Sequence, residues 1–359
     1  MAGQYGPLMT ISLGMKTTVV ISSSGMAKEF FKIHDQIFAG RVVLEAATAL
    51  SHHKLSIVFS QYGSYWRKIR RIATTQFFSP NRLQALQHLR RGQMFQSIRF
   101  VFENREKCLN VSHLVSYLGL NMLSNTIFSK SLFDPSNPDS ENFRDALRKT
   151  IETVGTPNLV DFFPCLRLLD PQSLKRKTAI HLRRVSKYLD SCINDRQTAR
   201  SEGICSEKDT EKDFLDFLLD SSGDDLTLMD IRTVIFELFS AGSDTYGAAI
   251  EWAMAELINN PHVMKRAQEE LKQVVGANRR VEESDLDQLP HLRAVVNKVL
   301  RLHPPLPFTI PHRADSSCEV AGYSIPKHTQ VIANIWAIAR DPANWKEHSK
   351  FMPERFFKW

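Results

Sequence analysis

The chain has 359 residues, 43% of them hydrophobic and 24% charged, which is the composition of a large globular protein with one sizeable core. Its net charge of +7 favours an acidic partner or an anionic surface without choosing among nucleic acid, membrane and protein. The five cysteines, Cys108, Cys165, Cys192, Cys205 and Cys318, form no CxxC or other metal spacing, and an odd count of this kind fits reduced cytosolic thiols.

No secretory signal and no membrane-spanning apolar run is present. Leu8 to Leu13 and Thr17 to Ser22 read as two short strands joined by Gly14-Met15-Lys16, and a helix follows from Met26 to His34. Phe38 to Ser60 has weak periodicity and reads as a long surface segment of the functional or mobile kind. In the next stretch, Trp66, Ile69, Ile72 and Ala73 share one helical face while Arg67, Lys68, Arg70 and Arg71 crowd the rest. Three readings stand for it: a solvated basic face, a nucleic-acid patch, or an anion clamp in which Trp66 and Arg70, four residues apart, hold one carboxylate or phosphate. No known nucleic-acid motif or interleaved aromatic set continues the cluster, which disfavours nucleic acid.

Helical patterns then follow one another: Arg82 to Glu103, Val111 to Thr126, Ser140 to Val154, Asp170 to Arg200 and Glu211 to Leu219. The polar stretches Ala199 to Asp213 and Ser221 to Asp225 read as solvated loops. From Thr227 to Pro261 a capping-box start, Thr227 with Asp230, and a proline stop enclose one expected helix of roughly 50 Å, long enough to cross the molecule. Apolar residues on all its faces, Phe236, Phe239 and Met254 among them, predict a central, buried rod. Its middle, Ala241-Gly242-Ser243-Asp244-Thr245, sets a helix-weakening glycine, a carboxylate and two hydroxyls where the flanks demand burial. Two readings remain open there: a bend made by back-bonding hydroxyls, or a helix opened beside a ligand with an acid and an alcohol placed to pass protons.

Val263 to Val275 and Glu283 to Leu302 continue the helical pattern, and beyond Pro307 the runs Cys318 to Tyr323 and Gln330 to Asn334 read as small strands. The fold class is therefore mainly α with small β-sheets, in a single domain spanning 1–359.

In this order, WxxxR at Trp66 and Arg70, AGxDT at Ala241 to Thr245, RLHPP at Arg301 to Pro305, PHR at Pro311 to Arg313, ARDP at Ala339 to Pro342 and PERF at Pro353 to Phe356 resemble the cytochromes P-450. The phrasing is similar to the plant microsomal branch of terpenoid and alkaloid hydroxylases of the geraniol 8-hydroxylase type. The resemblance implies the P-450 fold around a long central helix, haem b, and hydroxylation of a small apolar plant metabolite. Dioxygen and electrons from NADPH, delivered by an NADPH-cytochrome reductase, would complete the reaction. It implies propionate contacts at Trp66, Arg70 and His312, Ala241 and Gly242 over the haem, and proton relay by Asp244 and Thr245. Substrate would meet Phe236, Phe239, Ser240, Phe308, Thr309 and Ile310. The basic surface near Lys68 and Arg71 would suit the reductase, by electrostatic docking, and the endoplasmic reticulum membrane is the implied location.

Three departures accompany these matches. The family's haem-ligating cysteine loop follows PERF, and none of the five cysteines here has that context, so the sequence gives no metal ligand. Lys298 stands where the family has the acid of Glu-x-x-Arg, which leaves Lys298, Arg301 and Arg355 as three converging cations. The N-terminal membrane anchor is not in the sequence, and the chain by itself reads as soluble and cytoplasmic. From these departures the expectation is a monooxygenase relative that is inactive as given, with a non-catalytic protein binding haem, ligand or reductase as the alternative.

Overall fold

The computed structural model describes residues 2–133, 138–203, 212–222 and 226–357. Cys205 and parts of the two expected polar loops lie outside the described residues. The protein is mostly helical, and its backbone forms two compact units, one of residues 1–11, 17–38 and 244–359, the other of 12–16 and 39–243.

The second unit is helical throughout its interior. Helix Leu174–Ser201 buries Leu182, Val185, Leu189 and Ile193, a spacing of three and four residues that puts one apolar stripe against its neighbours. Those neighbours are helices Pro138–Gly155 and Leu228–Gly242 and the kinked 3-10 segment Ala46–Lys54. Helix Val111–Phe128 packs on Leu228–Gly242 as well. At the centre Phe239 is fully buried, stacked on Phe128 at 6.2 Å and edge-on to Phe133 at 5.7 Å and Phe143 at 5.6 Å. Aromatic groups in these geometries add to the stabilisation their burial already brings.

Most of the larger sheet belongs to the first unit. Strands Leu8–Leu13, Lys16–Ile21, Gln330–Ala333 and His312–Arg313 lie in that order. Lys16–Ile21 runs parallel to Gln330–Ala333, with Val19 opposite Val331, and His312 is antiparallel to Val331. Val19, Ile21, Phe30, Phe38, Ala314 and Val331 form the core beneath it. A second core joins Val263, Val295, Val299, Leu302 and Phe351.

The structure revises several expected boundaries. The expected rod from Thr227 to Pro261 is two helices of 15 residues each, Leu228–Gly242 and Thr245–Asn259, interrupted at Ser243 and Asp244. The torsions of both intervening residues stay in the helical region. Burial differs between the halves too: Asp230 to Phe239 are all buried except the half-buried Arg232, whereas Gly247 alone is buried in the second helix and Trp252, Met254 and Ile258 are exposed. Its described contacts are with helices Pro261–Val274 and Pro290–Leu302, which cover one side.

The expected helix Glu283 to Leu302 is a 3-10 turn, Glu283–Gln288, followed by Pro290–Leu302, because Pro290 sits at the first helical position and starts a new helix. Arg82 to Glu103 is likewise split at Leu86, whose side chain is buried at the junction of Pro80–Ala85 and Gln87–Glu103. The run Cys318 to Tyr323 folds back on itself: Cys318–Val320 pairs with Tyr323–Ile325 across Ala321 and Gly322, both at positive φ.

Candidate functional site

In the second unit, helix Leu228–Gly242 is set by its capping box. Asp230 N–H donates to Thr227 Oγ1 at 3.2 Å, and Asp230 Oδ2 accepts from the Thr227 backbone N–H at 2.8 Å. The other oxygen of Asp230 lies 2.8 Å from the hydroxyl of Tyr65, and burial together with this carboxylate raises the Tyr65 pKa far above the ordinary phenol value. Two turns on, buried Glu237 accepts the Ile57 N–H at 2.6 Å and the Ser56 hydroxyl, with His52 Nε2 at 3.5 Å. Glu237 thus holds the segment that contains His52, Ser56 and Ile57 against the helix.

Phe236 is buried and meets the His52 ring edge-on at 5.1 Å. It lines a cavity of about 30 Å³ with Leu50, Leu55, Leu182, Met229 and Thr233. Phe239 points instead into the aromatic core described above, and the Ser240 hydroxyl donates back to the Glu237 carbonyl at 3.1 Å. Ala241 is exposed, while Gly242 faces Leu123: a Cβ there would come within 3.0 Å of Leu123 Cδ1.

Trp66 and Arg70 sit on helix Ser64–Ile72. The indole N–H of Trp66 donates to the Ile57 carbonyl at 2.9 Å, so it is committed to the protein, whereas Arg70 is exposed and its guanidinium has no hydrogen bond or ion pair among the described residues. Of the two donors proposed for an anion clamp, Arg70 is the one at liberty.

In the first unit, Asp244 is exposed and Thr245 half-buried at the start of helix Thr245–Asn259. His312 Nδ1 donates to the Phe38 carbonyl at 2.7 Å, and its ring lies 4.8 Å from Phe31, which fixes its plane. Phe308, Thr309 and Ile310 run along the end of strand Gln330–Ala333. Thr309 N–H donates to the Ala333 carbonyl at 3.0 Å, Ala333 N–H donates to Thr309 Oγ1 at 2.9 Å, and Phe308 is left exposed.

Lys298 is fully buried and its ammonium has no hydrogen-bond partner among the described residues. Burial first, then the charges of Arg301 and Arg355, lower its pKa to about 7. Arg301 donates to the carbonyls of Ala339 and His348, the latter at 2.8 Å, and stacks on Trp345 at 4.6 Å, but its Nε is buried without a partner. Arg355 lies 3.7 Å from Glu347.

Against known proteins, the family model described as cytochrome P450 matches residues 1–358. Geraniol 8-hydroxylase of Catharanthus roseus is 40% identical over 361 residues, covering 99% of this chain and 72% of that protein. Geranylhydroquinone 3''-hydroxylase of Arnebia euchroma is 39% identical, with coverage of 99% and 72%, and iridoid oxidase of Catharanthus roseus 36%, with 98% and 71%. Among solved structures, a zebra fish cytochrome P450 with progesterone superposes with a TM-score of 0.80 at 27% identity, covering 99% of this chain and 82% of that one. Fold and relatives together define a haem-thiolate monooxygenase class, with haem as cofactor and electrons from a reductase. The chain belongs to the cytochrome P450 family.

The residues at hand fit that cofactor in part. Arg70 offers a guanidinium with no other partner among the described residues, and exposed Ala241 offers a small side chain beside a long buried run, whereas the Trp66 donor is already satisfied. Glu237, His52 and Ser56 are absent from the sequence reading. The available signal was a single carboxylate in the apolar run IFELF, which burial makes costly without donors; its donors lie about 180 residues away.

Proposed function

We propose that this protein is a monooxygenase that hydroxylates a small apolar terpenoid-type metabolite. The observation that carries the reading is the close likeness, at about 40% identity over nearly the whole chain, to an enzyme named geraniol 8-hydroxylase. The family match gives no support to a non-catalytic binding role.

When bound, haem supplies dioxygen activation with electrons from NADPH through a reductase. Arg70 and His312 would hold its carboxylates, with Trp66 as the buttress that orients helix Ser64–Ile72 on the Ile57 carbonyl. Ala241 and Gly242 would leave room above the ring. Thr245 and Asp244 would hold and pass the protons that oxygen reduction consumes. Phe236, Ser240 and the Phe308 to Ile310 edge would orient the substrate. Phe239 would act from the core behind Phe236, and Lys68 and Arg71 would present positive charge to the reductase.

A membrane surface is the proposed location. None of the helices among the described residues is long and apolar enough to cross a membrane. Met15 is 72% exposed, Leu168 98% and Leu169 73%, with Leu159 and Phe163 also open to solvent. Met15 is tied to this region by its N–H, which donates to the Phe162 carbonyl at 2.9 Å. An apolar cluster of this kind suits insertion into a headgroup layer.

The test is incubation of the haem-loaded protein with reductase, NADPH and ten-carbon terpenoid alcohols, with hydroxylated product and NADPH use measured together. Product is expected from the native protein, and Thr245→Ala should keep NADPH consumption while losing most of the product. Haem loading without product from any terpenoid would overturn the substrate class. Unchanged coupling in Thr245→Ala would remove the threonine from proton delivery.

A further inference from the structure

Helix Leu174–Ser201 carries a polar stripe opposite its buried one. Arg183, Ser186, Lys187, Asp190, Ser191 and Asn194 recur at three and four residues and share one face. A solvated face is the ordinary outcome for such a stripe. Here it walls an open cleft of about 540 Å³, within the range of small-molecule sites, lined also by Leu50 and Arg232.

The charge in this cleft is unbalanced. Asp190 is engaged by Arg232, whose Nη1 lies 2.8 and 3.1 Å from its two oxygens. Arg183 and Lys187, one turn apart, have no hydrogen bond or ion pair among the described residues, and Ser186, Ser191 and Asn194 add neutral donors beside them. The apolar side is equally marked. Leu50, at φ 52° and followed by Ser51 at φ 58°, adopts the left-handed conformation that a leucine rarely takes, and its side chain remains exposed at the cleft.

Behind Leu50 lies the smaller cavity on Phe236, which shares Leu50, Ser186 and Arg232 with the cleft. At about 30 Å³ that inner space admits a water at most. A ligand of the outer cleft is therefore held outside it.

We propose that this cleft is a binding site for a small anionic amphiphile, a carboxylate or phosphate monoester with a short apolar body. Its anion would be held by Arg183 and Lys187 and its apolar part would lie on Leu50. Arginine and lysine in an open cleft recognise such a head by charge-assisted hydrogen bonds, and an exposed leucine beside them selects against fully hydrated anions.

Isothermal titration of the protein with octanoate, octyl phosphate, 1-octanol and inorganic phosphate tests this without reference to haem or turnover. Octanoate or octyl phosphate should bind at least about tenfold more tightly than 1-octanol and than inorganic phosphate, as loss of one charged hydrogen bond or of apolar contact implies. Arg183→Gln with Lys187→Gln should weaken binding of the anionic probes about tenfold or more. Leu50→Ser should weaken octanoate while leaving inorganic phosphate unchanged. Both cationic side chains are exposed, so the double variant should retain the native denaturation midpoint. The proposal is overturned if neither amphiphile binds, if the double variant binds as the native protein does, if 1-octanol equals octanoate, or if inorganic phosphate equals octyl phosphate.

Discussion

The Glu237 carboxylate accepts the backbone N–H of Ile57 at 2.6 Å, across 180 residues of sequence. With the Ser56 hydroxyl on its other oxygen and His52 at 3.5 Å, this acid converts an irregular segment into a wall of the Phe236 cavity. Glu237→Ala should lower stability by about 2 to 4 kcal/mol, because the buried Ser56 hydroxyl and the half-buried Ile57 N–H lose their acceptor. Glu237→Gln, which keeps one acceptor, should cost less. Denaturant titration separates the two, and equal midpoints for native protein and Glu237→Ala would mean the segment is held by other contacts.

Lys298 should make stability depend on pH in the alkaline range. Its folded pKa is about 7, against about 10.4 for a free lysine, so between these values the unfolded chain binds more protons than the folded one. Stability therefore rises with pH across that window. The penalty is complete below about pH 7 and gone above about pH 10, at most about 5 kcal/mol at 1.36 kcal/mol per pH unit. Lys298→Met should flatten that slope. Lys298→Glu should raise the midpoint at pH 7, since an acid there gives the orphaned Arg301 Nε an acceptor. A native protein whose midpoint is flat from pH 7 to 10 would show that the lysine reaches solvent.

Gly242 faces Leu123 closely enough that its substitution separates helix propensity from packing. Alanine gains about 1 kcal/mol of propensity but sets its Cβ 3.0 Å from a mobile Leu123 methyl, so Gly242→Ala should be neutral within about 1 kcal/mol. Gly242→Val should be clearly destabilising, and Leu123→Ala in the same chain should recover part of the loss. Tolerance of valine alone would show that the two helices can part at this point.

Gly14, at φ +60°, has no room for a side chain: a Cβ would lie 2.7 Å from the Phe162 carbonyl oxygen. Gly14→Ala should cost about 1 to 2 kcal/mol from the left-handed torsion alone, with the collision added. It should also release Met15 from the apolar cluster and weaken binding to liposomes, as Leu168→Asp with Leu169→Asp should do without loss of stability. Liposome binding unaffected by the double aspartate variant would remove this cluster from the membrane-binding surface.

The helices were legible because their apolar stripes are long and regular, and Thr227 with Asp230 is a local signal that the structure repeats as a capping box. Boundaries failed where a local signal was read through. Pro290 starts a new helix after a 3-10 turn that the helical pattern ran through, and Leu86 marks a junction with neither glycine nor proline. The family and its cofactor were legible from ordered motifs, yet motifs do not say which way a side chain faces. Phe236 and Phe239 are three residues apart, and one lines a cavity while the other fills the aromatic core. The left-handed Leu50 and Ser51 carry no sequence mark, since neither is a residue that prefers that conformation.

The parallel pairing of Thr18 to Ile21 with Gln330 to Ala333 has a consequence during synthesis. The first of these strands leaves the ribosome about 300 residues before its partner, and at roughly 5 to 20 residues per second it waits about 15 to 60 seconds. Through that interval the apolar run Val19-Val20-Ile21 has no neighbour on its sheet edge from the later strand. Nascent chains of this protein should therefore engage chaperones through this strand, long before the helices that follow have finished folding.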